Sequence, residues 1–322
     1  MTETAERTVI VGDIRAERLS AQELGVGFFE PPPPGFDPIS AASRELLTYG
    51  YPARPDAATH PAQRAQWERR VARSYTRIEP EFVRNVGKVH GPVRRQATTA
   101  SSPTSTSGNA ISTNWSGSVV FASAGTTCSW IAGEWTVPDP CDPLGGESSY
   151  YSAAWVGLDG DGSNDVLQAG TESSLIDGSR SIYAWWEWYP DHEIAVSNLP
   201  VAAGDLIFCL ICADSTTTAS IYLTNDTTGQ QVAFNVTAPD GARLEGNCAE
   251  WIVEAPSVGG NATTLPDYGV VYFDDALAGE RNGGSLDAFT GSAITLVSAA
   301  DKPLSVPTME KSRLIKLSYR DV

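Results

Sequence analysis

Histidine is almost missing from this chain: 322 residues contain 3, His60, His90 and His192. That scarcity removes the HExxH metal site, and the chain also lacks a GxSxG nucleophile elbow, a zinc-ligand spacing, a phosphate-binding loop and a dinucleotide fingerprint. Basic residues are few as well. Lys and Arg total 22 against 39 Asp and Glu, a formal net charge of −17, which argues against nucleic acid or an anionic membrane surface as a partner. No apolar run approaches the length of a membrane span. Met1 to Arg18 lacks the apolar core of a secretory signal, which leaves export open. Cysteines number 5, so at least one thiol stays unpaired in a monomer. Cys128 and Cys141 are placed to bridge a loop, whereas Cys209 and Cys212 sit in an apolar run and read as buried hydrophobes.

The charge that is present is unevenly spread. Residues 1–108 carry 14 Lys+Arg and 12 Asp+Glu, which leaves 8 basic and 27 acidic residues for 109–322. A mildly basic arm thus precedes a strongly acidic body. The arm begins with weakly patterned sequence up to Pro31–Pro34, a stiff stretch that can join neither a helix nor a central strand. Helices are expected over Ser40–Tyr49 and Pro61–Arg77, the second with Trp67, Val71 and Tyr75 on one stripe and a row of arginines beside it. Residues 91–108, rich in Ser, Thr and Ala, read as a linker.

From Asn114 onward, short β-branched and aromatic runs alternate with Gly, Pro, Asn and Asp clusters, the pattern of an all-β sandwich. Only Ala276 to Arg281 suggests a helical turn. Tyr183 to Tyr189 packs five aromatics and Glu187 into one strand. Alternation puts Tyr183, Trp185, Glu187 and Tyr189 on one face and Ala184, Trp186 and Trp188 on the other. The same rule pairs Trp155 with Asp159, Gln168 with Glu172, and Glu250 with Glu254. Four strands that each offer a polar or aromatic pair favour one polar cleft across a sheet. A carboxylate there can act as general base and then acid, and a neutral amide can donate to an oxyanion. Asp159 to Asp165 follows part of a calcium-loop pattern, but an Asp/Gly turn explains it without a metal. Three functions remain open on these residues: a peptidase, a glycoside hydrolase with Glu187 and Glu250 as paired carboxylates, and a lectin-like carbohydrate-binding module.

Asn114-Trp115-Ser116-Gly117, Trp155 to Gly160, Leu167 to Gly170, Trp185 to Asp191 and Ala249 to Glu254 together resemble the ordered motifs of the glutamic peptidases, the eqolisins of peptidase family G1. The resemblance implies a two-sheet antiparallel, concanavalin A-like β-sandwich over 109–322. It also implies acid endopeptidase activity on protein or peptide substrates by a secreted, zymogen-derived monomer that needs no metal or other cofactor. Carried over by motif, Gln168 and Glu250 form the catalytic dyad, with Trp155, Asp159, Glu172, Trp185 and Glu187 lining or supporting the cleft. Glu172 stands where the family motif has aspartate, which makes its supporting role an open point. Residues 1–108 have the position and charge of a propeptide, with the arginine-bearing helix expected over the acidic cleft near neutral pH and released in acid.

Overall fold

The computed structural model describes residues 8–11, 14–95, 110–144 and 146–321. The bulk of the 91–108 linker therefore lies outside the described residues. The arm contributes β1 (Thr8–Val11), β2 (Ile14–Leu19), β3 (Gly27–Phe28), α1 (Ser43–Thr48), α2 (Pro61–Val71), β4 (Thr76–Arg77), β5 (Phe82–Asn85) and β6 (Lys88–Val89). It is thus less helical than its sequence suggests. α2 ends at Val71, and Thr76–Arg77 pairs with a strand of the body instead of continuing the helix.

The body opens with β7 (Ala110–Ser112), β8 (Trp115–Phe121), β9 (Cys128–Thr136), β10 (Ser149–Tyr150) and β11 (Ala153–Asp159). The long hairpin β12 (Val166–Ile176) and β13 (Ser179–Tyr189) follows, then β14 (Ile194–Val196), β15 (Leu206–Ala213), β16 (Thr218–Asn225), β17 (Gln230–Thr237) and β18 (Cys248–Glu254). The C-terminal part holds β19 (Ser257–Val258), β20 (Asn261–Ala262), β21 (Val270–Glu280), β22 (Ser285–Asp287), β23 (Ser292–Val297), β24 (Pro303–Lys311) and β25 (Leu314–Tyr319). Residues Ala276 to Glu280, expected as a helical turn, continue β21 instead. Leu277 and Ala278 pair with Ala132 and Ile131 of β9, so ladder bonds and burial override local preference.

Pairing runs in one path, β13-β12-β11-β18-β8-β23-β24-β25-β21-β9-β15-β16-β17, and folds over at β24 into two layers. Alternation explains what lies between them. Val156, Ala169, Trp186, Trp188 and Trp251 of the front layer point inward, against Ile131, Ile207, Ile211, Ile221 and Phe234 of the back layer. Removing one such indole would cost about 3–5 kcal/mol. The front layer's other face carries a second cluster, including Trp115, Trp155, Trp185 and Ile252. All five cysteines are free. Cys128 is buried and Cys141 exposed, and the bridge their spacing would allow is not formed.

The arm embraces both layers. α2 lies on the outer face of the back layer, where Arg70 reaches Glu134 and Asp226 and stacks 3.9 Å from the Phe208 ring centroid. Arg69 holds Asp275 at 2.8 Å, and the Gln66 amide donates to the Asp275 carbonyl at 2.8 Å. The arginine-bearing helix therefore sits on the side away from the dyad strands and not over the cleft. Its acidic partners, Glu134, Asp226 and Asp275, belong to the back layer. Arg70→Ala strips part-buried Glu134 of its cationic partner and leaves Asp226 to Arg73 and Tyr75, a loss on the order of 3 kcal/mol. Limited proteolysis near neutral pH should then cut the arm faster than in the parent chain.

Candidate active site

Three strands meet at Gly157. In β11 it stands directly opposite Gln168 of β12 on one side and Glu250 of β18 on the other. Gln168 in turn faces Glu187 of β13. Glu250, Gly157, Gln168 and Glu187 therefore form one row across four adjacent strands, all on the outer face. The glycine is needed there for space. A Cβ at position 157 would lie 2.8 Å from Glu250 Oε1, 2.8 Å from the Trp155 ring and 3.2 Å from Gln168 Cβ. Gly157→Ala is expected to push the two side chains out of line and to lower turnover by about 10²-fold. A circular-dichroism spectrum like the parent's would separate misplacement from unfolding.

Gln168 and Glu250 are fully buried. The Gln168 amide lies 3.2 Å from Glu187 Oε1 and also donates to the carbonyl of His90 in the arm. Neither carboxylate oxygen of Glu250 has a hydrogen-bond partner. Burial pushes its carboxyl well above the ordinary carboxylate value, and the charges of Asp159 and Asp161 add to the rise. Glu187 is also raised well above that value by burial, partly opposed by His90. It accepts the His90 backbone N–H on both oxygens, each at 3.0 Å.

The other residues expected in the cleft separate into distinct tasks. Trp185 stacks face to face on the His90 ring at 3.8 Å, and Trp155 Nε1 donates to Glu254 Oε2 at 3.0 Å. Asp159 does not touch the dyad. Its carboxylate accepts the backbone N–H groups of Glu245, Gly246 and Asn247 at 2.7, 3.0 and 2.8 Å, fixing the chain just before β18 and so the placement of Glu250. Its oxygens are thus committed to backbone donors, and Asp161 is committed to Arg95, which supports the turn reading of Asp159–Asp165. Glu172 lies two rows of residues from the dyad and holds Lys88 Nζ at 2.7 Å. Cys248 begins β18, buried, with its thiol 3.7 Å from the Asp161 carbonyl.

Sequence reading placed Glu254 on this face but missed its other occupants. Lys88, His90 and Glu193 are buried here beside Glu254. His90 Nε2 lies 2.7 Å from Glu193, and Nδ1 lies 3.3 Å from Glu254. The segment continues outward. The Val93 N–H donates to the Gly160 carbonyl at 3.0 Å, and Arg95 pairs with Asp161. Lys88-x-His90 just before Gly91-Pro92 was the one available signal: two cationic side chains on the same side of an extended stretch.

With this geometry in view, the relatives of the chain are informative. Residues 113–319 match the Peptidase A4 family. Aspergillopepsin-2 of Aspergillus niger is 34% identical over 198 residues, 56% of this chain and 68% of that protein. This chain belongs to the Peptidase A4 family. Scytalidopepsin B of Scytalidium lignicola is 34% identical over 145 residues, 45% of this chain and 52% of that protein. The fold also aligns with the crystal structure of scytalido-glutamic peptidase with a transition-state analogue inhibitor. The TM-score is 0.57 at 24% identity, covering 65% of this chain and 98% of that one. Membership of the Peptidase A4 family makes the chain a hydrolase of peptide bonds, an acid endopeptidase, and disfavours the two carbohydrate readings. The all-β sandwich expected from the sequence is the one observed. Among the described residues, no helix is long and apolar enough to cross a membrane.

Proposed function

We propose that Gln168 and Glu250 carry the hydrolysis. Glu250, as carboxylate, takes a proton from a water, whose oxygen attacks the scissile carbonyl. Gln168 donates its amide N–H to the oxyanion that develops. The Glu250 carboxyl then returns the proton to the leaving amine as the C–N bond breaks. The observation that carries this reading is the Gln168 amide seated on a peptide carbonyl, that of His90, with Glu250 across Gly157. A base works best with a pKa near the operating pH. While the arm is docked, burial first and then the charges of Asp159 and Asp161 raise Glu250 above its ordinary value; once the arm leaves, water reaches the carboxyl and the rise relaxes, which lets Glu250 serve as an ionised base in acid.

Residues 1–108 act as a propeptide in this scheme, and 109–322 as the catalytic unit. The support is steric: β5 pairs with β14, β6 pairs with β19, and His90 between them covers the dyad. The whole constellation comes from one chain, so a monomer suffices. Secretion fits the acid chemistry and the family resemblance. Casein hydrolysis measured from strongly acid to neutral pH, together with the N-terminal sequence of the acid-treated chain, tests the reading. A chain that never hydrolyses casein at any pH overturns it.

A further inference from the structure

On the side away from the cleft, the arm and the back layer enclose a cavity that the hydrolysis does not use. It lies between the arm and strands β9, β15 and β16, with a volume of about 520 Å³. Trp67 of α2, Trp130 of β9, Phe208 and Leu210 of β15 and Tyr222 of β16 form its apolar wall. We propose that this cavity binds an apolar monoanion, a carboxylate on an aromatic or hydrocarbon body, whose charged end meets Arg77. Arm and back layer each supply part of the wall, so the ligand holds the arm on the body. The binding stands apart from the Gln168/Glu250 reading, whereas its consequence for latency rests on the arm acting as a propeptide.

Charge selects the class of ligand. The chain has a formal net charge of −17, yet Arg70, Arg73, Arg77 and Arg281 line this cavity against a single carboxylate, Asp214. Three of these arginines already have a counter-charge. Arg70 pairs with Glu134 and Asp226, and Arg73 with Asp226. Arg281 answers Asp214, whose carboxyl burial raises while Ser220 and Arg281 oppose the rise. Arg77 differs. Its guanidinium donates to the carbonyls of Tyr49 and Gly50, the latter at 2.9 Å, and lies 5.1 Å from the Tyr51 ring centroid. Those carbonyls occupy donors but carry no formal charge. Among the described residues no carboxylate acts on Arg77, and burial lowers its pKa with only Tyr51 and Tyr222 opposing. A part-buried cation beside an apolar space, without an anion, is costly, and an incoming carboxylate relieves that cost. The guanidinium fork fits a carboxylate in shape as well as in charge.

Size and position give the rest. The volume lies within the roughly 300–1,000 Å³ of small-molecule sites. Tyr51, Trp67 and Arg77 come from the arm, and Phe208, Leu210 and Tyr222 from the body, so the site is complete only while the arm is docked. A ligand that binds the docked form alone raises the docked-to-released ratio by about 100-fold at 100 times its Kd. The carboxylate is itself sensitive to acid. An ordinary carboxylic acid takes up its proton at about pH 4. It therefore loses its hold on Arg77 in the same range as Glu193 and Asp226 lose theirs, below 4.5 and 3.8. A sulfonate of the same shape keeps its charge there and should keep the arm in place.

The test is titration calorimetry on the full-length chain between pH 4.5 and 6.5, where the arm is docked. The probes are naphthoate, naphthalenesulfonate, neutral naphthylmethanol and cationic naphthylmethylamine. Both anions should bind on the order of tenfold or more tightly than the neutral and cationic probes. Arg77→Gln should abolish that preference, and Leu210→Trp, which fills the cavity from the body side, should weaken every probe. Equal binding of anion and alcohol, or no binding at all, overturns the site. Unchanged binding in Leu210→Trp overturns it too, even where Arg77→Gln loosens the arm. As pH then falls through 3.8, naphthalenesulfonate should slow the onset of casein hydrolysis by up to about 100-fold, and naphthoate should not. A bound sulfonate that leaves the onset unchanged overturns the role in latency. Equal inhibition of a chain already freed of its arm places the probe in the cleft and overturns it as well. Absence of casein hydrolysis under all conditions strikes the dyad reading, while the calorimetry still decides the site.

Discussion

Gln168→Ala should lower peptide hydrolysis in acid by about 10²–10³, the usual cost of deleting one oxyanion donor. The amide is fully buried and its one substrate-like contact is a peptide carbonyl, so the loss should appear in kcat more than in KM. Glu250→Gln removes the base and should cost about 10²–10⁴. The two changes act on one transition state, and the double variant should be little worse than the poorer single one. Stability should move the other way at position 250. Both Glu250 oxygens are buried without partners and the carboxyl is pushed up by burial, so a neutral isostere relieves a strained ionisation. An unchanged or higher melting temperature near neutral pH accompanies the lost activity. A Gln168→Ala chain that hydrolyses casein as fast as the parent excludes this dyad.

The second large effect is acid release of the arm. Glu193 feels burial, which raises its pKa, but Lys88 and His90 outweigh that and hold it down at about 2. On the back layer, Asp226 is likewise lowered on balance, burial opposing and Arg70, Tyr75 and Arg73 prevailing. A lowered carboxylate gives stabilisation that is complete above its ordinary value and is lost as pH falls through the lowered one. Those contributions to docking therefore fade as pH falls below the ordinary values, 4.5 for Glu193 and 3.8 for Asp226, that of Glu193 down to about 2. His90, raised to about 10, has the opposite sign. Its contribution is complete below 6.5 and fades only as pH rises toward 10. Glu187 and Glu250, raised under the arm, favour docking in acid, but this gain saturates once pH drops below their ordinary 4.5. The ion pairs of Glu193 and Asp226 with the docked arm are thus complete between 4.5 and 6.5 and weaken below those carboxylates' ordinary values, whereas Glu172 and Glu134, raised chiefly by burial, do not add to this acid release. Latency should hold in that upper window, and casein hydrolysis should emerge as pH falls from 3.8 toward 2. Full activity at pH 4.5 to 6.5 by a chain that still carries its arm rejects the mechanism.

Much of the cleft was legible as strand alternation. Trp186 and Trp188 face the core while Trp185 and Glu187 face outward, as a two-residue period requires. Alternation alone names a face and not neighbours across strands. That Gln168, Gly157 and Glu250 share a row depends on the registers of β11 with β12 and β18, set by long-range pairing. The arm was the harder part. Its charge suggested attraction to the acidic body, and the arginine-bearing helix looked like the element that covers the cleft. Charge complementarity is satisfied wherever carboxylates are exposed, and the back layer supplied Glu134 and Asp226 for that helix. A short extended stretch with one lysine and one histidine has no periodic signal to mark it as the plug.

The aromatic strand from Tyr183 to Tyr189 marked the cleft, and the ordered motifs pointed to the family and to Gln168 and Glu250 as its working pair. Those features are local: composition, alternation and spacing along one strand at a time. The tertiary structure decided which partners each carboxylate meets. Glu187 holds a backbone N–H, Glu172 and Glu193 hold an ammonium, and among the described residues neither oxygen of Glu250 has a hydrogen-bond partner within reach. Identical side chains acquire different roles because burial and the nearest opposite charge, both set by contacts distant in sequence, fix which of them stay ionised.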